Sequence, residues 1–337
     1  MNVLITGGAG FIGCHTADYF AQNHKVRVID SLVRKGSEFN LKWLQKNHNI
    51  EFAMVDIRDT EAILDDVKNF KPDAVIHLAA QVAVTTSVTH PREDFNINAL
   101  GTLNLLEAIR QYASHAALVF ASTNKVYGSM EDIAFERQGK RYAYVDYPKG
   151  ADEKRPLDFH SPYGCSKGAA DQNVRDYARI YGLKTVVFRM SCIYGTRQFG
   201  IEDQGWVAWF TIRAAIDKPV TIFGDGAQVR DILWVEDVVR AYKTAIDAID
   251  QVKGEVFNLG GGVENQLSLL ELFDFLHEIS GSPLKLIFSD WRPGDQRVFI
   301  ANTAKAQMLL DWEPSCGPKE GVRKIFAWVK DNIDMFR

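Results

Sequence analysis

Short apolar runs alternate with amphipathic stretches along the first half of the chain. Residues 3–6, 26–30, 51–54, 74–78 and 117–122 are apolar at nearly every position and rich in β-branched side chains, which predicts strands buried on both faces. Stretches of helical period separate them. Strands joined by helical crossovers predict a parallel, doubly wound α/β sheet, continued by residues 185–189 and 255–259. Between 128 and 159 the pattern breaks into a polar stretch with Arg137, Lys140, Arg141, Asp146, Pro148 and Gly150, which reads as a surface insertion without regular structure. From about residue 191 the segments are shorter and mixed, with turn signals at 224–226, 260–262 and Pro293-Gly294. The expected division is a first domain of residues 1–189, with returns near 232–265, and a smaller mixed α/β substrate-binding domain of 190–231 and 266–337.

Composition narrows the partners. A chain of 337 residues builds a core without disulfides or metal, and 46% apolar with 24% charged residues is ordinary for a globular protein. A formal net charge of -4 gives no general attraction to nucleic acid or anionic membrane, so any anion site is local. Cys14, Cys165, Cys192 and Cys316 are scattered without metal-ligand spacing, so reduced thiols and no metal are expected. The sequence starts on a strand pattern rather than a basic, apolar leader, and no run approaches the ~18 apolar residues of a membrane span. A cytoplasmic location is therefore expected.

The first strand runs into Gly7-Gly8-Ala9-Gly10-Phe11-Ile12-Gly13 and then a helix. Glycines there let the backbone turn tightly and approach a pyrophosphate, whose charge meets the free amides of the helix start. The second strand ends on Asp30, where a carboxylate accepts hydrogen bonds from an adenosine ribose and repels a 2′-phosphate. This is a Rossmann-like dinucleotide site that favours NAD over NADP. Arg34 and Lys35 just beyond argue for NADP or form a solvated basic loop. Asp56-Ile57 and Leu78-Ala79-Ala80 follow the third and fourth strands, where the fold places the adenine and the middle of the cofactor; Asp56 reads equally as a helix cap.

Tyr163 and Lys167 open a predicted helix, and their spacing puts both on one face. An ammonium and a cationic nicotinamide beside a tyrosine favour its phenolate, which makes it a base near neutral pH. Ser122-Thr123-Asn124-Lys125-Val126-Tyr127-Gly128 follows a strand on the same rim, with Thr123 offering a hydroxyl to the substrate. His77 reads as a satisfied histidine, His160 carries no assignable role, and Trp206 and Trp209 fit a ligand pocket or a core-facing helix stripe equally well.

Together the glycine turn, Asp30, Asp56-Ile57, His77-Leu78-Ala79-Ala80, the Ser122–Gly128 run and Tyr163-x-x-x-Lys167 resemble the extended short-chain dehydrogenase/reductase family over essentially the whole chain. The runs 157–171, 197–199, 203–206 and 295–299 are similar to its branch of nucleotide-sugar epimerases that act on CDP-hexoses. The resemblance implies tightly held NAD, Tyr163 as base, Lys167 on the nicotinamide ribose, and Thr123 and Asn124 at the sugar. It also implies that Arg230, following a strand at 228–229, and Arg292 hold the pyrophosphate of a CDP-sugar, and that Arg197, Gln198 and Gln204 line its pocket. A homo-oligomer, dimer or tetramer, is implied through the helices of 103–112 and 168–181. Cys192 departs from an asparagine common in the family. Dehydratases of the family carry Asp and Glu after the threonine; Asn124 and Lys125 cannot supply that acid and base, which argues against dehydration. A reductase, a 4-epimerase or a 4,6-dehydratase of another nucleotide sugar is the alternative chemistry. A non-catalytic NAD-binding protein is the alternative class, disfavoured because Tyr163 and Lys167 are both present.

Overall fold

The computed structural model describes residues 1–291 and 296–336. Its strands in chain order are β1 Asn2–Thr6, β2 Lys25–Asp30, β3 Glu51–Met54, β4 Ala74–His77, β5 Ala117–Thr123, β6 Phe135–Gln138, β7 Arg141–Tyr144 and β8 Lys184–Met190. There follow β9 Cys192–Tyr194, β10 Val220–Phe223, β11 Val229–Trp234, β12 Val256–Leu259, β13 Gln266–Ser268, β14 Leu286–Ser289 and β15 Val298–Phe299. A seven-stranded sheet has the order β12-β8-β5-β4-β1-β2-β3, and every neighbour pair is parallel. The order reverses between β1 and β4, and their carboxyl ends open the crevice where such sheets bind ligands.

Both faces are covered, as the continuous apolar strands require. In β1, Val3 and Ile5 join one core cluster while Leu4 joins the cluster on the opposite face. The first cluster extends from the sheet through β11 to Leu272 and Ile325 of the helices Leu269–Ser280 and Pro318–Asp331. One apolar core therefore underlies the main sheet and the later elements. The later elements form two small sheets, β10-β14 and a mixed sheet of β13, β11, β15 and β9.

Two local readings are corrected. Residues 128–159 contain the antiparallel hairpin β6-β7, turning at Gly139 with φ +62°. The alternate Tyr142 and Tyr144 fasten it to the later layers: the Tyr142 amide donates to the Ala227 carbonyl at 2.9 Å and the Tyr144 hydroxyl to the Val298 carbonyl at 2.8 Å. Arg230-Asp231 does not follow a strand but lies inside β11. Asp231 is tolerated there, fully buried, because the Ser191 hydroxyl and the Gly262 amide donate to its carboxylate.

Candidate active site

The glycine turn is set by close approach. Gly7 has φ +67° and donates its amide to the Ile29 carbonyl at 2.8 Å, tying the turn to the end of β2. A Cβ on Gly7 would stand 2.7 Å from the Ala79 nitrogen, and one on Gly13 would stand 2.2 Å from the Gly7 carbonyl oxygen. The helix Phe11–Ala21 starts from Gly10, which has no side chain to cap it, so the first amides, those of Phe11, Ile12 and Gly13, suit an anion. These features fit the pyrophosphate of a dinucleotide.

Asp30 closes one side of this crevice. Its oxygens accept from the Ala9 amide at 3.0 Å and the Leu32 amide at 2.8 Å, which fixes a carboxylate that burial pushes above its usual range. Each oxygen keeps acceptor capacity for a ribose hydroxyl. Arg34 is not extended toward a phosphate; its guanidinium donates to the Gln204 Oε1. Asp56 pairs with Arg58 at 2.6 Å, and the cap of helix Thr60–Phe70 is instead Asp59, which accepts from the Ala62 amide at 3.1 Å. Ile57 is buried, while Leu78, Ala79 and Ala80 are half-buried on the rim.

Across the crevice, helix Ser161–Tyr181 carries Tyr163 and Lys167, both buried, on one face. The Tyr163 amide donates to the Ser87 hydroxyl at 3.1 Å, and the side chains of Tyr163 and Thr123 hydrogen-bond to each other. Lys167 donates to the Ala121 carbonyl at 2.7 Å and lies 4.3 Å over the Phe120 ring, leaving two donors unspent there. Burial pushes Tyr163 up to about 12, with the nearby Asp94 adding to the rise, and pulls Lys167 down to about 8. Lys167 therefore loses its charge before Tyr163 ionises, the reverse of the order a base needs, so the lysine does not by itself deliver the phenolate expected from the spacing.

Two buried networks stand behind this pair. Asp94 accepts from Gln81 Nε2 at 2.7 Å, from Asn98 Nδ2 at 3.2 Å and from the Ser166 hydroxyl at 2.5 Å, joining the rim after β4 to helix Ser161–Tyr181. Asn98 sits in a π-turn, Asn96–Leu100, a local widening that recurs at functional sites. On the other side Asp171 receives Arg189 through Nε at 3.0 Å and Nη2 at 2.9 Å, and the Ser122 hydroxyl at 2.7 Å. Arg189 also donates to the Tyr127 hydroxyl at 3.2 Å. Sequence reading missed both networks. For the second, Arg189 near the end of the otherwise apolar run 185–190 was the available signal, because a buried guanidinium demands a buried carboxylate.

The substrate-side residues divide. Asn124 accepts from the Thr123 hydroxyl at 3.4 Å, and Lys125 beside it donates to Gln296 Oε1 at 3.2 Å, so both stay at the reacting rim. Arg230 is half-buried on β11 and donates to its own Val229 carbonyl at 2.8 Å. Arg292 lies outside the described residues. Arg197, Gln198 and Gln204 do not gather around Thr123 and Tyr163. Arg197 stacks 3.6 Å over Trp43, Gln198 is buried with its amide 3.5 Å from the Ile193 carbonyl, and Gln204 holds Arg34. Trp206 and Trp209 are half-buried and pack against the core; Trp206 also hydrogen-bonds the half-buried Cys192 thiol, which desolvation pushes up to about 12. His77 is buried between Thr6 and Thr102 at 2.6 and 3.0 Å and held neutral, pulled down to about 3. His160 pairs with Asp158 at 3.0 Å.

A glycine turn with a ribose-type carboxylate on one wall, and a tyrosine, lysine and threonine on the other, defines an enzyme that moves hydride between a dinucleotide and a hydroxyl. The chain belongs to the NAD-dependent epimerase/dehydratase family, whose sequence profile matches residues 3–260. It is 48% identical to a CDP-paratose 2-epimerase of Salmonella typhi over 98% of this chain and 99% of that one. The UDP-glucose 4-epimerase of Thermotoga maritima, solved with UDP-glucose, superposes with a TM-score of 0.85 at 35% identity, covering 99% of this chain and 100% of that one. The Thermus thermophilus UDP-glucose 4-epimerase in complex with NAD superposes with a TM-score of 0.80 at 33% identity, covering 100% of this chain and 99% of that one. The protein is thus an NAD-dependent nucleotide-sugar epimerase/dehydratase with the fold of these epimerases. No helix among the described residues is long and apolar enough to cross a membrane.

Proposed function

We propose that the chain inverts carbon 2 of a CDP-hexose, converting CDP-paratose to CDP-tyvelose through a transient 2-keto sugar. The observation that carries the reading is the identity of 48% with a CDP-paratose 2-epimerase along nearly the whole of both chains. The rim supports it: an amide and an ammonium, Asn124 and Lys125, follow Thr123 where dehydration calls for a carboxylic acid and a carboxylate. In this reading residues 1–189 with the returns near 232–265 hold the cofactor, and 190–231 with 266–337 hold the nucleotide sugar.

NAD, when bound, supplies a hydride acceptor and a positive ring. The glycine turn and the amides after Gly10 hold its pyrophosphate, Asp30 its adenosine ribose, and Lys167 its second ribose. Thr123 would orient the carbon-2 hydroxyl and Tyr163 would take its proton as the sugar is oxidised. Tyr163 would return the proton as the sugar is reduced on its opposite face. A 3,6-dideoxyhexose has no 3-hydroxyl, so oxidation next door cannot acidify the carbon-2 hydrogen and direct oxidation at carbon 2 remains. The sugar turns about its pyrophosphate link between the two transfers, while Arg230 and Arg292 keep the nucleotide in place.

Proton NMR of the purified protein with CDP-paratose in heavy water, without added cofactor, tests this. The expected result is inversion with the carbon-2 proton retained. Deuterium at carbon 2 replaces hydride return by acid–base exchange, and no inversion by protein shown to hold NAD moves the assignment to another nucleotide sugar.

A further inference from the structure

The segment after Asp30 is fastened to a distant loop at several points. Arg34 donates to Gln204 Oε1, and Arg197 lies 3.6 Å over Trp43. The Phe199 ring stacks on Phe39 at 5.7 Å, and Gly36, with φ +90°, leaves it room: a Cβ there would come within 2.0 Å of the ring. Phe199 also stacks on Phe336 at 5.4 Å and meets Trp328 edge-on at 5.8 Å, which anchors it to the C-terminal helix. Asn40 joins both parts to the glycine turn, donating to the Ala9 carbonyl at 3.2 Å and to the Arg197 carbonyl at 3.3 Å.

We propose that Arg34, Phe199 and Gln204 form a clasp that closes the adenosine end of the crevice and sets how long NAD stays bound. The inference rests on assigning the adenosine ribose to Asp30. The Leu32 amide is bonded to that carboxylate and Arg34 follows two residues later, so residues 31–36 border the ribose. The nucleoside leaves by displacing this border, and the border is held by Gln204 and by the Phe199 plug against Gly36. An epimerase that returns its hydride to the same sugar has a use for such a device, because cofactor loss halfway strands a ketone with no hydride to receive. The clasp also turns the Arg34 guanidinium to an amide oxygen and away from a 2′-phosphate. Arg34, Phe199 and Gln204 are positioning residues that act through the backbone around Asp30.

The test uses the holoenzyme, chased with excess isotope-labelled NAD while the protein-bound nucleotide is followed by mass spectrometry. Arg34→Ala and Gln204→Ala are each expected to release NAD about tenfold faster than the parent, the loss of one charge-assisted hydrogen bond. The double variant should be no faster than either single one, since both remove the same contact. Phe199→Leu, which keeps the bulk but loses the stacked ring, should also release faster. Melting temperatures close to the parent value in Arg34→Ala and Gln204→Ala separate cofactor retention from general loosening. Release at the parent rate from these variants, with faster release from Asp30→Asn, overturns the clasp and leaves the ribose assignment standing. Unchanged release from Asp30→Asn overturns that assignment and the clasp with it.

Discussion

To act as the proposed base, Tyr163 has to lose a proton in a place where burial opposes it. Burial brings Lys167 down to about 8 and Tyr163 up to about 12, so at neutral pH the lysine is charged and the tyrosine is not. An added positive charge at the nicotinamide position stabilises the phenolate and lowers Tyr163. Binding of NAD is therefore expected to raise tyrosinate ultraviolet absorbance near neutral pH, and Tyr163→Phe to remove that change. The sign of the pH profile follows. Turnover is expected to rise with pH while the fraction of phenolate grows and to fall as Lys167 becomes neutral, which burial brings on below the usual lysine range. The same Tyr163→Phe variant should lose about 10²- to 10⁴-fold in turnover with NAD still bound, which steady-state rates and nucleotide content would show together. The spacing of Tyr163 and Lys167 was plain in the sequence. Their reversed order of titration was not, because desolvation depends on what the fold places around each group.

Among the elements, helix Ser161–Tyr181 and strand β8 are joined by a salt bridge with almost no exposure, 2% for the Arg189 side chain and 0% for Asp171. Asp171 lies one turn beyond Lys167, so the bridge fixes the helix that carries Tyr163 and Lys167. Asp171→Asn leaves Arg189 buried without its counter-charge and is expected to destabilise the protein by about 3–5 kcal/mol, measured by denaturant unfolding. An exposed pair such as Lys140–Asp274 is the control, since surface pairs contribute little. Element boundaries were largely readable from apolar runs; the seven predicted strands of the main sheet are all present. The hairpin β6-β7 was not read, although the alternation in Arg141-Tyr142-Ala143-Tyr144 is a strand signal. Its neighbours are polar, and its buried face is created only by docking on Ala227 and Val298.

For the molecule as a whole, the last strand of the main sheet, β12, and helix Val235–Asp247 follow β9, β10 and β11 of the smaller sheets in the chain and precede β13, β14 and β15, so the two layers are interleaved in sequence. The apolar cluster beneath the sheet also includes Leu272 and Ile325 from the late helices. A fragment ending at residue 189 lacks β12 as partner for β8 and exposes one face of its core. It is expected to show no cooperative thermal transition by circular dichroism, whereas independent folding of that fragment would mean the core divides at this point.

The sequence by itself determined the doubly wound sheet, the glycine turn, Asp30 at the end of β2, and Tyr163 with Lys167 on one helix face. Each of these follows from local rules: apolar period, glycine where a Cβ has no room, and side chains four apart on a helix. Only the tertiary structure decided that Arg197 stacks on Trp43 and Gln204 holds Arg34, that Asp59 rather than Asp56 caps its helix, and that Arg189 meets Asp171. Those outcomes depend on partners far away in the chain, such as Trp43 for Arg197 and Arg34 for Gln204, and no local pattern encodes which distant surface a long polar side chain will meet.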